Sequence, residues 1–189
     1  MAAALEVAQE IEALGFGSLF IPEVGLKDCL VESAAFLAAT DRLVVGTGIA
    51  NIHARIAGTT EGGGRTLTAL YPGRFVLGLG VSHGPLVENM LGGTYAKPLA
   101  TMRGYLDRMA ALPEMIEPGS GRPARLLAAL GPKMIELSGT HADGAHPYLV
   151  TPAQTAVTRE ILGPQKWIVS EQAVVIGGDA EEQMNRAHL

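Results

Sequence analysis

Three ionisable side chains of this sequence stand at the ends of short apolar runs, where a strand is expected to give way to a loop. Glu23, His83 and His146 each lie at or just past such a run. A histidine can accept or donate a proton near neutral pH, and a glutamate carboxylate can act as a base or orient a hydroxyl group. These three residues are the candidate catalytic groups. The simpler alternative is a surface glutamate and two hydrogen-bonded structural histidines.

Three glycine-containing segments could hold a ring or a phosphate group. A glycine at position 48 lets backbone approach a planar ring closely. Segment 80–84 offers exposed amides and a serine hydroxyl, and segment 129–132 combines a strand end, a glycine and a helix N-terminus, where anions are favoured. Ordinary turns are the competing interpretation. The candidate cofactor-binding residues in these segments are Gly48, Gly80, Val81, Ser82, Ala129, Leu130, Gly131 and Pro132.

The other reactive side chains are predicted to have structural or surface positions rather than roles in the site. Cys29 is the one cysteine, which excludes an intrachain disulfide, and it is expected to be an inert buried thiol. We place His53, Arg55 and His141 on the rim or on a solvated helix surface. The spacing of His, Cys, Asp and Glu predicts no metal site.

Composition narrows the class of protein. The 189 residues are 48% hydrophobic and 17% charged, against about 25% charged for an average domain. This excludes a disordered chain. The net charge of −5 without a run of Lys or Arg predicts no nucleic-acid partner, and no apolar stretch reaches the ~18 residues of a membrane helix. The N-terminal stretch carries a glutamate at position 6 and lacks the positively charged segment that begins a signal peptide, so no signal peptide is predicted. We therefore expect one cytoplasmic domain over 1–189.

Helices and strands are predicted to alternate along the whole chain. Asp28 is a predicted N-cap for a helix through Ala39, and Thr151 with Gln154 forms a predicted capping box. The predicted strands are 18–22, 43–47, 74–80, 125–129, 144–150 and 173–176, and a polar helix is predicted from 179 to the end. Strict alternation implies parallel βαβ units. The pattern alone leaves two architectures open, a doubly wound sheet and a (β/α)₈ barrel.

Three stretches carry a resemblance to a known family. The chain contains GFGSLFIPE at 15–23, then TDRLVVGTGI at 40–49 with LYPGRFVLGLG at 70–80, and then AALGP at 128–132 followed by ADGAHPY at 142–148. In this order they resemble the luciferase-like monooxygenase superfamily. More narrowly, they are similar to its actinobacterial oxidoreductases that use the deazaflavin coenzyme F420.

The resemblance implies a (β/α)₈ barrel with the cofactor at its C-terminal mouth. Segment 18–22 would be the second barrel strand and 173–176 the seventh, so we expect an incomplete barrel without strands 1 and 8. The two flanking strands would then be unpaired edges, which favour association. The resemblance also places a bulge with a non-prolyl cis peptide at Gly48–Ile49, behind the deazaflavin ring, with Ala50 and Asn51 along the same edge.

The implied function is hydride transfer between F420 and a small organic substrate such as an alcohol or enone, with Glu23, His83 or His146 handling the accompanying proton. An FMN-dependent monooxygenase is the alternative within the family. Outside it, the chain could be a truncated non-catalytic barrel, or a subunit completed by a partner or by a second copy through its helices or edge strands. The sequence departs from the family pattern at 62–64, where it has three glycines and the family has an alanine-rich helix. Because each interior glycine costs about 1 kcal/mol, we expect that helix to be short or frayed at its start.

Overall fold

The computed structural model describes residues 1–24, 27–113 and 121–179, together with 182 and 184. Helices and strands alternate as predicted, except that two short strands, 44–47 and 50–51, follow each other without a helix between them. In chain order the elements are α1 (Ala2–Ala13), β1 (Ser18–Ile21), α2 (Cys29–Ala39), β2 (Val44–Thr47), β3 (Ala50–Asn51), α3 (Ala57–Leu70), β4 (Phe75–Gly80), a π-helical turn (Leu86–Met90), α4 (Pro98–Ala110), β5 (Ala124–Leu127), α5 (Pro132–His141), β6 (Gly144–Ala145), α6 (Pro152–Leu162) and β7 (Trp167–Ile168). No helix in these described ranges is long and apolar enough to span a bilayer.

All strand pairs are parallel, and they form one curved sheet. Its order is β1-β2-β4-β5-β6-β7, and β3 continues past β2 to pair with β4. The curvature is strong enough to stack the ring of Phe20, from β1, on the ring of His146, which follows β6. The sheet is therefore part of a (β/α)₈-type barrel rather than a flat doubly wound sheet. Its edges are β1 and β7, which confirms the expected incomplete barrel.

The apolar strands form the core because helices cover the outer face of the sheet. Every residue of β4 is buried, as expected for a parallel strand enclosed on both faces. The main cluster of buried side chains joins strand residues such as Val45, Leu77 and Leu79 to helix residues such as Leu37 and Met102. This packing fixes where each strand ends, and so where each loop at the carboxyl edge begins.

Two predicted helix starts are confirmed by their caps. The Asp28 carboxylate accepts hydrogen bonds from the amides of Leu30 and Val31 at the start of α2. The Thr151 hydroxyl and the Gln154 side chain form both halves of the capping box at the start of α6.

The prediction of a short or frayed third helix is wrong. Helix α3 runs unbroken over fourteen residues from Ala57. The glycines instead allow close packing: a Cβ at Gly63 would lie 2.8 Å from Leu30 Cδ1, and one at Gly64 would lie 3.0 Å from Pro123 Cγ. Tertiary contacts therefore outweigh the low helix propensity of glycine.

The predicted last strand is also wrong. Residues 173–176 form no strand, and Val174 and Ile176 are exposed. Trp167 and Ile168 pair with β6 instead, directly after the turn that ends α6. Strand β6 is itself shorter than the predicted 144–150, and only a bridge between Tyr148 and Glu171 extends the pairing. The polar helix predicted from 179 onward falls almost wholly outside the described residues.

A buried ion network ties α3 to β5 and was not predicted from the sequence. Glu61 is 3% exposed and accepts hydrogen bonds from Arg125 Nη2 at 2.7 Å and Arg65 Nε at 2.8 Å. Next to it, Arg122 forms a two-pronged pair with Asp143 at 2.7 and 2.8 Å. Arg65 lies one helical turn from Glu61, but Arg125 lies 64 residues away, so only the folded chain brings Arg125 to Glu61.

Asp143→Asn is expected to make stability less dependent on acid pH. Burial works to raise the pKa of Asp143, but hydrogen bonds from Arg122 and from the Arg125 amide outweigh it and hold the pKa below its usual value. A lowered folded-state pKa contributes stability that is present above the unfolded value of about 3.9 and is lost as pH falls through the folded value. The variant should therefore be less stable than the wild type at pH 7, and the difference should shrink toward pH 3. Urea unfolding at both pH values measures it, with exposed Asp41→Asn as the control. A difference that grows toward acid pH would contradict the assignment.

Candidate active site at the carboxyl edge of the sheet

The predicted site residues lie at the carboxyl ends of neighbouring parallel strands. Glu23 follows β1, the pair Gly48–Ile49 separates β2 from β3, Gly80 ends β4, and His146 follows β6. Because the strands are parallel, all these ends share one edge of the sheet, which is the edge where barrel enzymes hold their active sites.

The bulge between β2 and β3 has the predicted backbone. The Gly48–Ile49 peptide bond is cis. Beyond it, Ala50 pairs with Leu79 and Asn51 with Gly80. The Ile49 side chain occupies the space that a Cβ at Gly80 would need. Gly80 therefore serves the packing of the bulge, and direct contact of Gly80 and Val81 with a cofactor stays a prediction.

His146 is the most enclosed of the three candidate catalytic groups. It is 4% exposed, and its ring stacks on Phe20 with centroids 5.1 Å apart and planes 22° apart. Nδ1 lies 2.6 Å from the Val169 carbonyl oxygen. Since a carbonyl only accepts, Nδ1 carries the proton and neutral His146 has its lone pair on Nε2. Nε2 is buried, and no described residue hydrogen-bonds to it.

The backbone of Gly48, which carries no side chain, forms the cavity wall that faces His146 Nε2. A Cβ placed on Gly48 would lie 3.0 Å from His146 Nε2 and 3.4 Å from Phe20 Cβ. The cavity beside it is lined by Phe20, Pro22, Gly48, His146, Val169, Ser170 and Glu171. It therefore combines an apolar ring, exposed backbone and two groups that can accept a proton, the His146 imidazole and the Glu171 carboxylate.

Both carboxylate oxygens of Glu23 accept hydrogen bonds from neighbouring groups, so Glu23 is not free to act as a base. Its Oε2 accepts the Asn51 amide at 2.7 Å and Arg55 Nη1 at 3.0 Å, and its Oε1 accepts from Arg55 Nη2. Arg55 also donates to Asp28 at 3.0 Å. Glu23 thus positions the β3 backbone, and this geometry does not support its predicted catalytic role.

Arg55 is more enclosed than the predicted position on the rim or on a solvated helix surface. Its side chain is 12% exposed. Burial opposes its charge, but the hydrogen bond and the negative charge of Glu23 outweigh this and raise the pKa of the guanidinium. Sequence reasoning missed the pair because Glu23 and Arg55 meet only when β1 lies beside β2.

Cys29 is buried, as predicted, beside this ion pair. Burial and the negative charge of Glu23 raise the pKa of its thiol to about 12, so the reactive thiolate does not form near neutral pH. Ligand atoms of Glu23, Asp28 and Cys29 lie within 4.8 Å of one another. The Arg55 guanidinium already supplies the positive charge among them.

Asn51 and His53 add two more unpaired groups to this edge. Asn51 Oδ1 accepts the His53 amide at 3.0 Å, while Asn51 Nδ2 and His53 Nε2 are buried and have no hydrogen-bond partner among the described residues. The His53 ring lies against Tyr95, with centroids 5.9 Å apart. Asn51 also lines a mostly apolar cavity whose outer wall includes Leu86 and Met90 of the π-helical turn. His53 is therefore more buried than the predicted rim position.

His83 lies in the loop after β4 and is exposed. No side-chain hydrogen bond, ion pair or ring contact of the described residues joins it to Glu23 or His146. Ser82 adopts a left-handed backbone with φ of 57°, and its carbonyl accepts the Tyr95 hydroxyl at 3.2 Å. This loop is ordered by Tyr95, and a catalytic role for His83 is not supported by its position.

The segment after β5 forms the predicted helix start. Gly131 is the N-cap of α5 with extended backbone, and Pro132 takes the first helical position. No side chain caps this end, so backbone amides of its first turn stay available to an anion. Ala129 is buried, whereas Leu130, Gly131 and Pro132 are exposed at the mouth. Anion binding here stays a prediction.

Comparison with known proteins places this geometry in a family. The luciferase-like monooxygenase family matches residues 1–163. A Mycobacterium tuberculosis protein named "Putative coenzyme F420-dependent oxidoreductase Rv3520c" is 28% identical, over 83% of this chain and 54% of its own length. The chain spans about half the length of the curated relatives that it matches.

Solved structures show the same fold at low sequence identity. An F420-dependent secondary alcohol dehydrogenase, in complex with an F420–acetone adduct, superposes with a TM-score of 0.71 at 18% identity, over 88% of this chain and 63% of its own. The oxygenating constituent of 3,6-diketocamphane monooxygenase, from a Pseudomonas putida plasmid and in complex with FMN, superposes with a TM-score of 0.69 at 14% identity, over 85% and 55%. With its parallel, curved sheet, its bulge at Gly48–Ile49 and the match over residues 1–163, this chain belongs to the luciferase-like monooxygenase family.

Proposed function

We propose that this chain forms the cofactor site of an oxidoreductase that transfers a hydride between coenzyme F420 and a small organic substrate. The observation that carries the proposal is the buried, unpartnered His146 Nε2 beside the side-chain-free wall at Gly48. An unpaired buried acceptor costs free energy unless a ligand satisfies it, so such groups collect at functional sites. The Mycobacterium tuberculosis relative supports F420 as the cofactor.

The residues at the carboxyl edge fit a planar ring with an anionic tail. Backbone at Gly48 and Ile49 would back the ring, and the Asn51 amide, which lacks a partner for Nδ2, would donate to a ring oxygen. The open N-terminus of α5 at Gly131 would hold a phosphate of the tail. Bound F420 would supply the hydride acceptor or donor, which no protein side chain can replace.

In this proposal His146 handles the proton that accompanies hydride transfer. The Val169 carbonyl holds the ring in the tautomer that presents a lone pair on Nε2. Stacking on Phe20 restricts the orientation of the ring. Nε2 can therefore accept a hydroxyl proton from an alcohol, or return it to a carbonyl oxygen in the reverse direction.

FMN is the alternative cofactor, which the FMN-bound neighbour supports. Titration of the purified chain with F420 and with FMN, followed by fluorescence, separates the two. We expect F420 to bind at micromolar concentration or tighter and FMN to bind more weakly. Tighter FMN binding would favour the monooxygenase alternative.

The non-catalytic alternative is tested on the same sample. Mass by size-exclusion chromatography and the cooperativity of melting show whether the chain folds alone, as a homodimer through its edge strands, or only with a partner. A cooperatively folded chain that binds neither cofactor would reject our proposal. We place the protein in a reducing cytoplasm, where the single buried thiol of Cys29 stays free.

A further inference from the structure

We propose that Glu171 is a positioning residue that relays protons between His146 Nε2 and solvent. The inference rests on the proposed proton-handling role of His146. It adds a second residue, from the segment after β7, to the proton path of the same site.

The Glu171 carboxylate and a protonated His146 carry opposite charges, and the two side chains differ in their exposure to solvent. Glu171 Oε2 lies 3.8 Å from His146 Nε2, and the Glu171 side chain is 47% exposed whereas that of His146 is 5% exposed. A small rotation of the carboxylate would shorten this separation to hydrogen-bond length. Glu171 can therefore contact the buried nitrogen from one side and water from the other.

The backbone of Glu171 is held in place by the bridge to the β6 segment. Its amide donates to the Pro147 carbonyl at 2.9 Å, and its carbonyl accepts the Leu149 amide at 2.9 Å. Only the side chain is left to move. Because both ends of this peptide segment are tied to the loop that follows His146, the carboxylate stays close to the imidazole.

The other described groups around His146 carry no charge. Phe20 and Pro22 come from β1 and the loop after it, Gly48 from the bulge, and Val169 and Ser170 from the segment after β7. The nearby carboxylate of Glu23 is taken up by Arg55 and the Asn51 amide. Glu171 is thus the ionisable lining residue with which His146 can exchange a proton in the described part of the cavity.

The relay consists of three successive proton transfers. The substrate O–H bond breaks and its proton binds to the Nε2 lone pair, which gives an imidazolium whose Nδ1–H still donates to Val169. The Nε2–H bond then breaks as a carboxylate oxygen of Glu171 accepts the proton. Water removes that proton from Glu171 and restores both residues. The reverse order delivers a proton from solvent to the substrate oxygen.

The decisive measurement is solvent exchange of the His146 ring proton by NMR in the chain without cofactor. Exchange of Nδ1–H requires protonation at Nε2 before Nδ1 loses its proton. We expect Glu171→Gln to slow this exchange about tenfold or more, since a positioned acid or base accelerates proton transfer by about 10²–10⁴. Glu160→Gln, the same change on the exposed face of α6, should leave it unchanged.

A kinetic measurement checks the role in turnover, with F420 and 2-propanol as the probes. In Glu171→Ala, the rate should fall and should recover when formate or acetate is added, because a small carboxylate can replace the missing relay. F420 affinity should stay within twofold of wild type. Glu171→Asp should retain part of the wild-type exchange rate, which separates loss of the carboxylate from loss of the fold.

The outcomes distinguish this inference from the proposed function. Exchange in Glu171→Gln equal to wild type overturns the relay, even if F420 binds. Slow exchange in Glu171→Gln supports the relay even if F420 does not bind or 2-propanol is not oxidised, in which case only the proposed cofactor or substrate class fails.

Discussion

Glu61→Ala is expected to lower the free energy of unfolding by about 3–5 kcal/mol, the usual cost of removing one partner of a buried ion pair. Glu61 is 3% exposed and joins Arg125 of β5 to Arg65 of its own helix. Without the carboxylate, two guanidinium groups face each other at an enclosed site. Burial already lowers the pKa of Arg125 despite the attraction of Glu61. Urea unfolding at pH 7 measures the loss.

The double replacement Glu61→Leu with Arg125→Met separates the cost of an unpaired charge from the cost of altered packing. Removing both charges together should recover most of the stability that the single variant loses, because the more deeply buried Arg125 charge is then gone and Arg65, whose side chain is 15% exposed, can reach water. Glu160→Ala, on the exposed face of α6, should change the free energy of unfolding by less than about 0.5 kcal/mol. A loss below about 1 kcal/mol for Glu61→Ala would show that water or a rearranged side chain compensates Arg125.

Gly48→Ala is expected to weaken F420 binding at least tenfold, or by about 1.4 kcal/mol. The new methyl group would stand 3.0 Å from His146 Nε2 and 3.4 Å from Phe20 Cβ. The imidazole has little freedom to withdraw, because Val169 holds Nδ1 and Phe20 covers the ring. The methyl group would therefore cover the acceptor and thicken the wall on which the ring of the cofactor is proposed to lie.

Gly17→Ala is the matched control for this variant. A Cβ at Gly17 meets no atom within 4 Å, and Gly17 precedes β1 at the opposite end of the strand from the site. F420 titration and thermal melting of both variants separate a loss of binding from a loss of folding. Unchanged F420 affinity in a folded Gly48→Ala variant would remove Gly48 from the cofactor site.

Several parts of the site could be predicted before the fold was known. The family resemblance predicts the cis peptide at Gly48–Ile49, and the helix start at Gly131 follows from a short, continuous segment. The last strand was predicted wrongly at 173–176, since an apolar run resembles a strand whether or not a neighbouring strand is there to pair with it. Trp167 and Ile168 form that strand because they lie opposite β6.

The sequence by itself determined the alternation of helices and strands, the parallel sheet and the set of loops that share its carboxyl edge. These follow from local hydrophobic periodicity, caps and turns, which act over a few residues. Tertiary structure alone decided that His146 faces Gly48 and Glu171, that Arg55 binds Glu23, and that Arg125 binds Glu61. These contacts join different βα units. The curvature of the sheet and the register between its strands therefore determine them, and no short segment encodes either.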